Sequence, residues 1–229
     1  MRIEENYSLK AHNTFGIDAK CMRFVEYETV EEAQHIARML RESATPYIII
    51  GGGSNLLLTK DFDGIVVHSA LKGYAIDGDR MACGSGMVWD DIVAISLNVG
   101  LYGAENLSLI PGDVGASAVQ NIGAYGVEAQ DLIRQVEAVE ISTGRLQVID
   151  AADCQYDYRQ SRFKQAWKNC YLITRVTYQF SKTFVPKLDY GNIRSELARK
   201  GIAEPTAQQL RETIIDIRRA KLPDPAVEG

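Results

Sequence analysis

Tyr47-Ile48-Ile49-Ile50 is a short apolar run, rich in β-branched residues, that stops against Gly51-Gly52-Gly53-Ser54-Asn55-Leu56. The run reads as a buried strand. Glycine lets a backbone take positive φ and approach a ligand closely. Successive N–H groups in such a loop form a concavity that holds anions, and Ser54 and Asn55 add side-chain donors. A diphosphate suits that inventory. The loop is no dinucleotide fingerprint of the G-x-G-x-x-G kind, because Leu56 stands where the third glycine would be, and no Gly-Lys-Ser/Thr follows to make a Walker loop. Taken alone, the glycines fit a tight strand-end turn equally well.

The surroundings read as mixed α/β and α+β. Thr29 with Glu32 forms a capping-box pair, and Ala33, Ile36, Ala37 and Leu40 recur at helical spacing, so a helix is predicted over 30–42. Gly64–His68 reads as the strand after the glycine loop, which gives an α/β-like order. Val88, Ile92, Ile95 and Val99 mark a second helix closed by Gly100. From Val136 the chain turns to strands. Val136–Ile141 and Leu146–Ile149 flank Ser-Thr-Gly as a hairpin, and Leu172, Thr174, Val176, Tyr178 and Phe180 alternate along another strand. A last helix opens at Thr206 with Gln209, and Leu210, Ile214 and Ile217 line one face of it.

Two other stretches could carry chemistry. Residues 104–126 hold four glycines and little periodicity, and a long irregular stretch in a compact domain is more often functional than idle. Within it, Gln120 and Asn121 supply amides, and small residues leave room for a flat ring. Its apolar members Leu107, Leu109, Ile110, Val119 and Ile122 argue against a plain surface loop. Tyr156–Lys164 gathers basic and hydroxyl groups and, by itself, reads as a solvated charged segment.

Charge and cysteine usage exclude several classes. A net charge of −5 offers no basic footprint for nucleic acid. Cys21, Cys83, Cys154 and Cys170 form no C-x-x-C pair, and His12, His35 and His68 do not cluster, so no metal site is expected and the thiols read as reduced, mostly buried groups. Met1-Arg2-Ile3-Glu4-Glu5 lacks the apolar core of a signal peptide, and no apolar run can span a bilayer. A cytoplasmic protein is expected, with no membrane partner. Lys221-Leu222-Pro223-Asp224-Pro225-Ala226-Val227-Glu228-Gly229 reads as a connector, so a truncated chain is expected.

Asn13-Thr14-Phe15-Gly16, the Gly51–Asn55 loop, Ile110-Pro111-Gly112, Gln120-Asn121-Ile122-Gly123-Ala124-Tyr125-Gly126, Tyr158-Arg159 with Ser161 and Phe163-Lys164, and Lys221–Pro225 occur in one order along the chain. This ordered set resembles the UDP-N-acetylenolpyruvoylglucosamine reductase (MurB) family, and Leu188-Asp189-Tyr190-Gly191-Asn192 resembles the tyrosine loop of its type I branch. The resemblance implies a two-part FAD-binding fold of the vanillyl-alcohol-oxidase (PCMH) type: residues 1–70, then 71–222, with 223–229 beginning a substrate domain that the chain lacks. It implies a monomer with non-covalent FAD, NADPH as co-substrate and a UDP-sugar substrate. The reaction would be reduction of UDP-N-acetylglucosamine enolpyruvate to UDP-N-acetylmuramate in peptidoglycan precursor synthesis.

By the same resemblance, Gly51, Gly52, Gly53, Ser54, Asn55 and Leu56 hold the FAD diphosphate, and Asn13, Thr14, Phe15 and Gly16 lie near the cofactor. Ile110, Pro111, Gly112, Gly115, Ala116, Ser117, Gln120, Asn121, Gly123, Ala124 and Gly126 take the flavin and ribityl chain. Arg159 matches the catalytic arginine, while Tyr190 and Lys221 match substrate-binding positions. The family's proton-donating serine and a late glutamate fall outside these residues, so this polypeptide is expected to bind FAD without turnover. Two other readings stay open: a flavin oxidase tethering FAD through His68 or Cys83, and a non-enzymatic nucleotide sensor.

Overall fold

The computed structural model describes residues 1–222. Pro223–Gly229, and with them the 223–229 segment and most of the Lys221–Pro225 motif, lie outside the described residues. The first sheet joins β1 (Arg2–Ser8), β2 (Lys20–Tyr27), β3 (Tyr47–Ile50) and β4 (Phe62–Ser69) in the order β1-β2-β4-β3. β1 pairs antiparallel with β2, while β2 and β3 each pair parallel with β4. β1 was not legible as a strand, because Arg2, Glu4 and Glu5 break its apolar pattern. It survives at the sheet edge, where Glu5 accepts from Arg23 at 2.7 Å. Charged edges of this kind also discourage pairing with other chains.

α1 (Val30–Glu42) returns the chain from β2 to β3. Thr29 caps it, accepting from the Glu32 N–H at 3.2 Å. The expected box is only half formed, since the Glu32 carboxylate accepts instead from the Glu28 N–H at 2.7 Å. Ala33, Ile36, Ala37 and Leu40 are buried between Val25, Tyr27, Ile65 and Val67 of the first sheet and Val139, Ile141 and Leu172 of the second. α1 is therefore packed between the two sheets. Tyr27 crosses the same junction, its buried hydroxyl donating to the Ile173 carbonyl at 2.6 Å.

The second sheet is antiparallel. β5 (Tyr74–Asp77), β6 (Arg80–Gly84), β9 (Ile133–Glu140), β10 (Leu146–Asp150) and β11 (Tyr171–Gln179) lie in the order β10-β9-β11-β6-β5. The predicted hairpin is β9–β10, with Val148 opposite Glu137. α2 (Trp89–Asn98) and α3 (Val114–Gln120) cover one face, burying Trp89, Ile92, Val93, Val114 and Ala118 against Met81, Val136, Val176 and Tyr178. α3 corrects the reading of 104–126 as irregular: small residues and two flanking glycines hid a two-turn helix. It ends at Asn121, whose φ of 46° is left-handed. A short hairpin follows, β7 (Gly123–Ala124) and β8 (Val127–Glu128). Its turn, Tyr125-Gly126, has φ of 51° and 78°, as a two-residue primed turn requires.

α4 (Ile193–Arg199) and α5 (Ala207–Lys221) close the described chain. α5 has the full capping box read from the sequence: Thr206 accepts from the Gln209 N–H at 3.2 Å, and the Gln209 side chain accepts from the Thr206 N–H at 2.9 Å. Arg211 of α5 pairs bidentately with Asp90 of α2, at 2.7 and 2.9 Å, and Asp90 also accepts from the Leu109 N–H at 2.6 Å. Burial works against the Asp90 charge, but the bonds from Arg211 and Leu109 outweigh it and hold the carboxyl below its ordinary range. A carboxyl depressed in this way stabilises the fold above its unfolded value, and that contribution is lost as pH falls through the folded value. Arg211→Ala is expected to cost about 3 kcal/mol near neutral pH. In urea melts the gap from wild type should narrow below about pH 4. A gap independent of pH would show that the pair contributes no charge energy.

Candidate functional site

The glycine loop ends β3 at the junction of the two sheets. Two positions there leave no room for a side chain and a third is tight. A Cβ on Gly51 would stand 2.9 Å from Ala116 Cβ, and one on Gly52 3.2 Å from Gly112 Cα. At Gly53, with φ +71°, it would stand 1.9 Å from the His12 carbonyl oxygen. The loop is thus a cradle lined by main chain. The N–H groups of residues 52–55 find no acceptor among the described residues. Gly53 is buried and Ser54 half-buried, while Gly52 and Asn55 are exposed. The two donors out of solvent call for an acceptor from outside the chain, and all four are free to meet an anion. Ser54 Oγ donates to the Pro111 carbonyl at 3.3 Å, joining the loop to the 110–116 segment.

A cleft of about 330 Å³ opens beside the loop. Tyr27, Ile49, Ile50, Gly51 and Ser69 line it from the first sheet. Asp113, Gly115, Ala116 and Val119 line it from α3 and the turn before it. The 163–171 segment completes the wall with Phe163, Lys164, Trp167, Lys168, Asn169 and Tyr171. Phe163, Trp167 and Tyr171 meet edge to face, with centroids 5.2 to 5.9 Å apart. This aromatic wall went unread in the sequence, although spacing of four residues between its members was the available signal.

Arg159 sits in a tight turn in which Asp157 and Gln160 exchange backbone hydrogen bonds of 3.1 and 2.9 Å. Its φ of 54° is left-handed. Its Nη2 donates to the Gly123 carbonyl at 2.7 Å. Lys164 Nζ donates to the Arg159 carbonyl at 2.9 Å and to Gln120 Oε1 at 2.7 Å. Ser161 Oγ donates to the Val119 carbonyl at 2.6 Å. The 156–164 cluster is therefore bound to the end of α3 and the β7 turn, and is not the free charged segment it resembles in isolation.

Several candidate residues serve the site through structure. Asn13 donates to the Leu9 and Ile17 carbonyls at 2.8 and 2.9 Å and accepts from the Ile17 N–H, so its side chain braces the chain that Gly53 touches. Asn121, fully buried, donates to Glu128 and to the Asp157 carbonyl and accepts from the Gln130 N–H. Ser117 bonds the Val114 carbonyl and Tyr178 Oη inside the core. These three side chains are committed to protein partners; what they give the cleft is backbone position. Thr14 and Gly16 share the turn Asn13 braces, and Phe15 is exposed.

Tyr190 packs edge-on against Tyr125, with centroids 6.4 Å apart, and covers Gly126. Lys221 Nζ donates to Asn192 Oδ1 at 3.1 Å, so both substrate candidates converge on the 190–192 loop. The side chains that a covalent tether would need are unsuitable. Cys83 is fully buried in β6, and burial pushes its thiol up to about 12. His68 is held by Glu26 at 2.7 Å. Among the described residues no group of three or more His, Cys, Asp or Glu could hold a metal ion, and no helix is long and apolar enough to cross a membrane.

Residues 22–150 match the family described as FAD binding domain. UDP-N-acetylenolpyruvoylglucosamine reductase of Bacteroides fragilis (strain YCH46) is 47% identical over 233 residues, covering 99% of this chain and 69% of that protein. The protein of the same name from Pseudomonas putida is 42% identical, covering 99% of this chain and 68% of that protein. Among solved structures, UDP-N-acetylenolpyruvylglucosamine reductase (MurB) from Thermus caldophilus superposes with a TM-score of 0.70 at 24% identity, over 98% of this chain and 71% of that one. 6-Hydroxy-D-nicotine oxidase from Arthrobacter nicotinovorans gives 0.61 at 19% identity, over 78% of this chain and 42% of that one.

Proposed function

Because the chain belongs to the UDP-N-acetylenolpyruvoylglucosamine reductase family, and is an FAD-dependent oxidoreductase of peptidoglycan precursor synthesis, we propose that NADPH is its hydride source and that the cleft between the two sheets is the flavin site. The observation that carries the site assignment is the main-chain cradle at residues 51–55, where the N–H groups of residues 52–55 find no acceptor among the described residues and a Cβ on Gly51 or Gly53 would clash. When bound, FAD supplies hydride transfer; the protein supplies binding, orientation and charge.

The amides of Gly51–Asn55, with Leu56 closing the loop, bind the FAD diphosphate. Gly115 and Ala116 give a flat wall without side-chain bulk. The Ile110–Gly112 segment, Gln120 and the Gly123–Gly126 turn border the flavin end, and the Asn13–Gly16 turn supports the cradle from behind. The Arg159 guanidinium, fixed at Gly123, stabilises negative charge that accumulates on the enolpyruvyl carboxylate. Tyr190 and Lys221 hold the sugar-nucleotide diphosphate. Residues 1–70 and 71–222 act as two FAD-binding subdomains, in a monomer of the cytoplasm.

Residues 1–229 by themselves are expected to bind FAD and to show no substrate-dependent turnover, because the resemblance puts the proton-donating serine and the late glutamate beyond them. The test is an absorption spectrum of the purified protein, followed by NADPH or NADH and then substrate. Bleaching of a flavin band by NADPH in preference to NADH supports the reading. A colourless protein that takes up no added FAD contradicts it, and sustained NADPH oxidation on adding substrate contradicts the inactivity of this length of chain.

A further inference from the structure

Three ionisable side chains with no part in the flavin reading meet directly behind the glycine loop. His68 of β4 hydrogen-bonds Glu26 of β2 through Nδ1 at 2.7 Å, and its Nε2 lies 3.5 Å from Asp113 Oδ2. The side chains are largely buried, His68 14% and Asp113 13% exposed. Asp113 occupies the N-cap of α3 yet makes no side-chain cap bond. Its carboxylate lies against the cradle instead: a Cβ on Gly52 would be 3.3 Å from Oδ1, and one on Gly51 3.5 Å from Oδ2.

A diphosphate held by the amides of that loop therefore sits beside a carboxylate. Like charges in a partly buried cleft repel strongly. The other groups facing His68 do not remove that repulsion. His12, whose ring centroid is 5.1 Å away, is kept neutral, its pKa lowered by burial and then by His68. Tyr7 of β1 meets His12 Nε2 at 3.3 Å. Arg2 of β1 lies 3.9 Å from the far oxygen of Glu26.

We propose that protonated His68, clamped between Glu26 and Asp113, is a positioning residue for the FAD diphosphate: its charge cancels that of Asp113, so the amides of residues 51–55 can accept the anion. The proposal rests on the reading of that loop as the diphosphate site. Burial pulls the His68 pKa down, but the bonds and charges of Asp113 and Glu26 outweigh it and raise the net value. A group raised in this way exerts its effect fully below its ordinary value and loses it as pH rises through the raised one. FAD affinity should therefore weaken on the alkaline side.

The experiment is titration of the flavin-free protein with FAD between pH 6 and 9, followed by flavin fluorescence. Wild type, His68→Gln, Asp113→Asn and the double variant are compared, with riboflavin, which has no diphosphate, as the control ligand. Wild-type Kd should rise about tenfold across the range, one pKa unit's worth. His68→Gln should bind about tenfold more weakly and without pH dependence. Asp113→Asn and the double variant should bind tightly at every pH, and riboflavin affinity should stay flat throughout. A flat wild-type profile overturns the proposal. So does an Asp113→Asn protein that keeps the wild-type slope, or a double variant as weak as His68→Gln, which would assign His68 to packing. Should His68→Gln fail to fold, the near-isosteric Asp113→Asn decides alone. Failure of wild type to bind FAD at any pH would instead remove the reading of the loop itself.

Discussion

Gly53→Ala should lose at least about 4 kcal/mol of stability together with FAD binding. Two effects combine at this position. The backbone φ of +71° disfavours any Cβ, by roughly 1–2 kcal/mol. The larger one is steric: the new carbon would stand 1.9 Å from the His12 carbonyl oxygen, 2.6 Å from its carbon and 2.8 Å from Asn13 Cα. That strand of chain cannot give way. The His12 N–H donates to the Leu9 carbonyl, the Leu9 N–H donates to the Ala19 carbonyl, and the Asn13 side chain makes three hydrogen bonds of its own. For a domain of this size 4 kcal/mol corresponds to a fall in Tm of about 8–16 °C. Gly16→Ala is the internal comparison. Its φ of +62° is similar, but no atom lies within 4 Å of the added carbon. It should cost only about 1 kcal/mol. Equal melting temperatures for the two variants would mean that Gly53 is needed for its φ alone, and that the cradle is looser than described.

Arg159→Ala, made in a polypeptide of the relatives' full length, should lower kcat by about 10²- to 10³-fold while leaving FAD affinity within about twofold of wild type. The separation follows from where the residue is held. Its backbone belongs to the Asp157–Gln160 turn, closed by two backbone hydrogen bonds and braced by Lys164, so removal of the side chain leaves the turn in place. Its guanidinium reaches the β7 turn through the Gly123 carbonyl at 2.7 Å and makes no hydrogen bond to residues 51–55. Arg159→Lys should restore little, because an ammonium keeps the charge but not the planar fork that matches a carboxylate. Steady-state kinetics with a parallel FAD titration decide the matter. Loss of FAD binding in step with activity would make Arg159 a structural residue, and kcat within tenfold of wild type would remove it from the reaction.

Part of the candidate site is legible in the sequence. The glycine loop and the 110–126 stretch stand out because glycine runs are local signals, whereas Arg159 comes forward only through the family resemblance, its neighbours reading by themselves as a solvated charged segment. α1 and α5 were equally plain, since Thr29 and Thr206 cap them and their apolar faces recur at helical spacing. What stayed hidden depends on distance in the chain. β1 carries charges suited only to a sheet edge, so no period revealed it. α3 is built from Gly115, Ala116, Ser117 and Ala118, whose small side chains give almost no helical signal, and it forms because Val114 and Ala118 bury against the second sheet. The same blindness hid the commitment of Asn121, which reads as a free amide until Glu128, Asp157 and Gln130 close around it. His68 and Asp113 are 45 residues apart in sequence, and only the parallel pairing of β3 with β4 sets the histidine behind the cradle.

A crystal structure of the protein with FAD bound tests the assignment most directly. Diphosphate oxygens within about 3 Å of the amide nitrogens of residues 52–55, with the isoalloxazine bordered by Gly123–Gly126 and Arg159, are the predicted result. Diphosphate density anywhere else, or an Arg159 guanidinium remote from the ring, would contradict it.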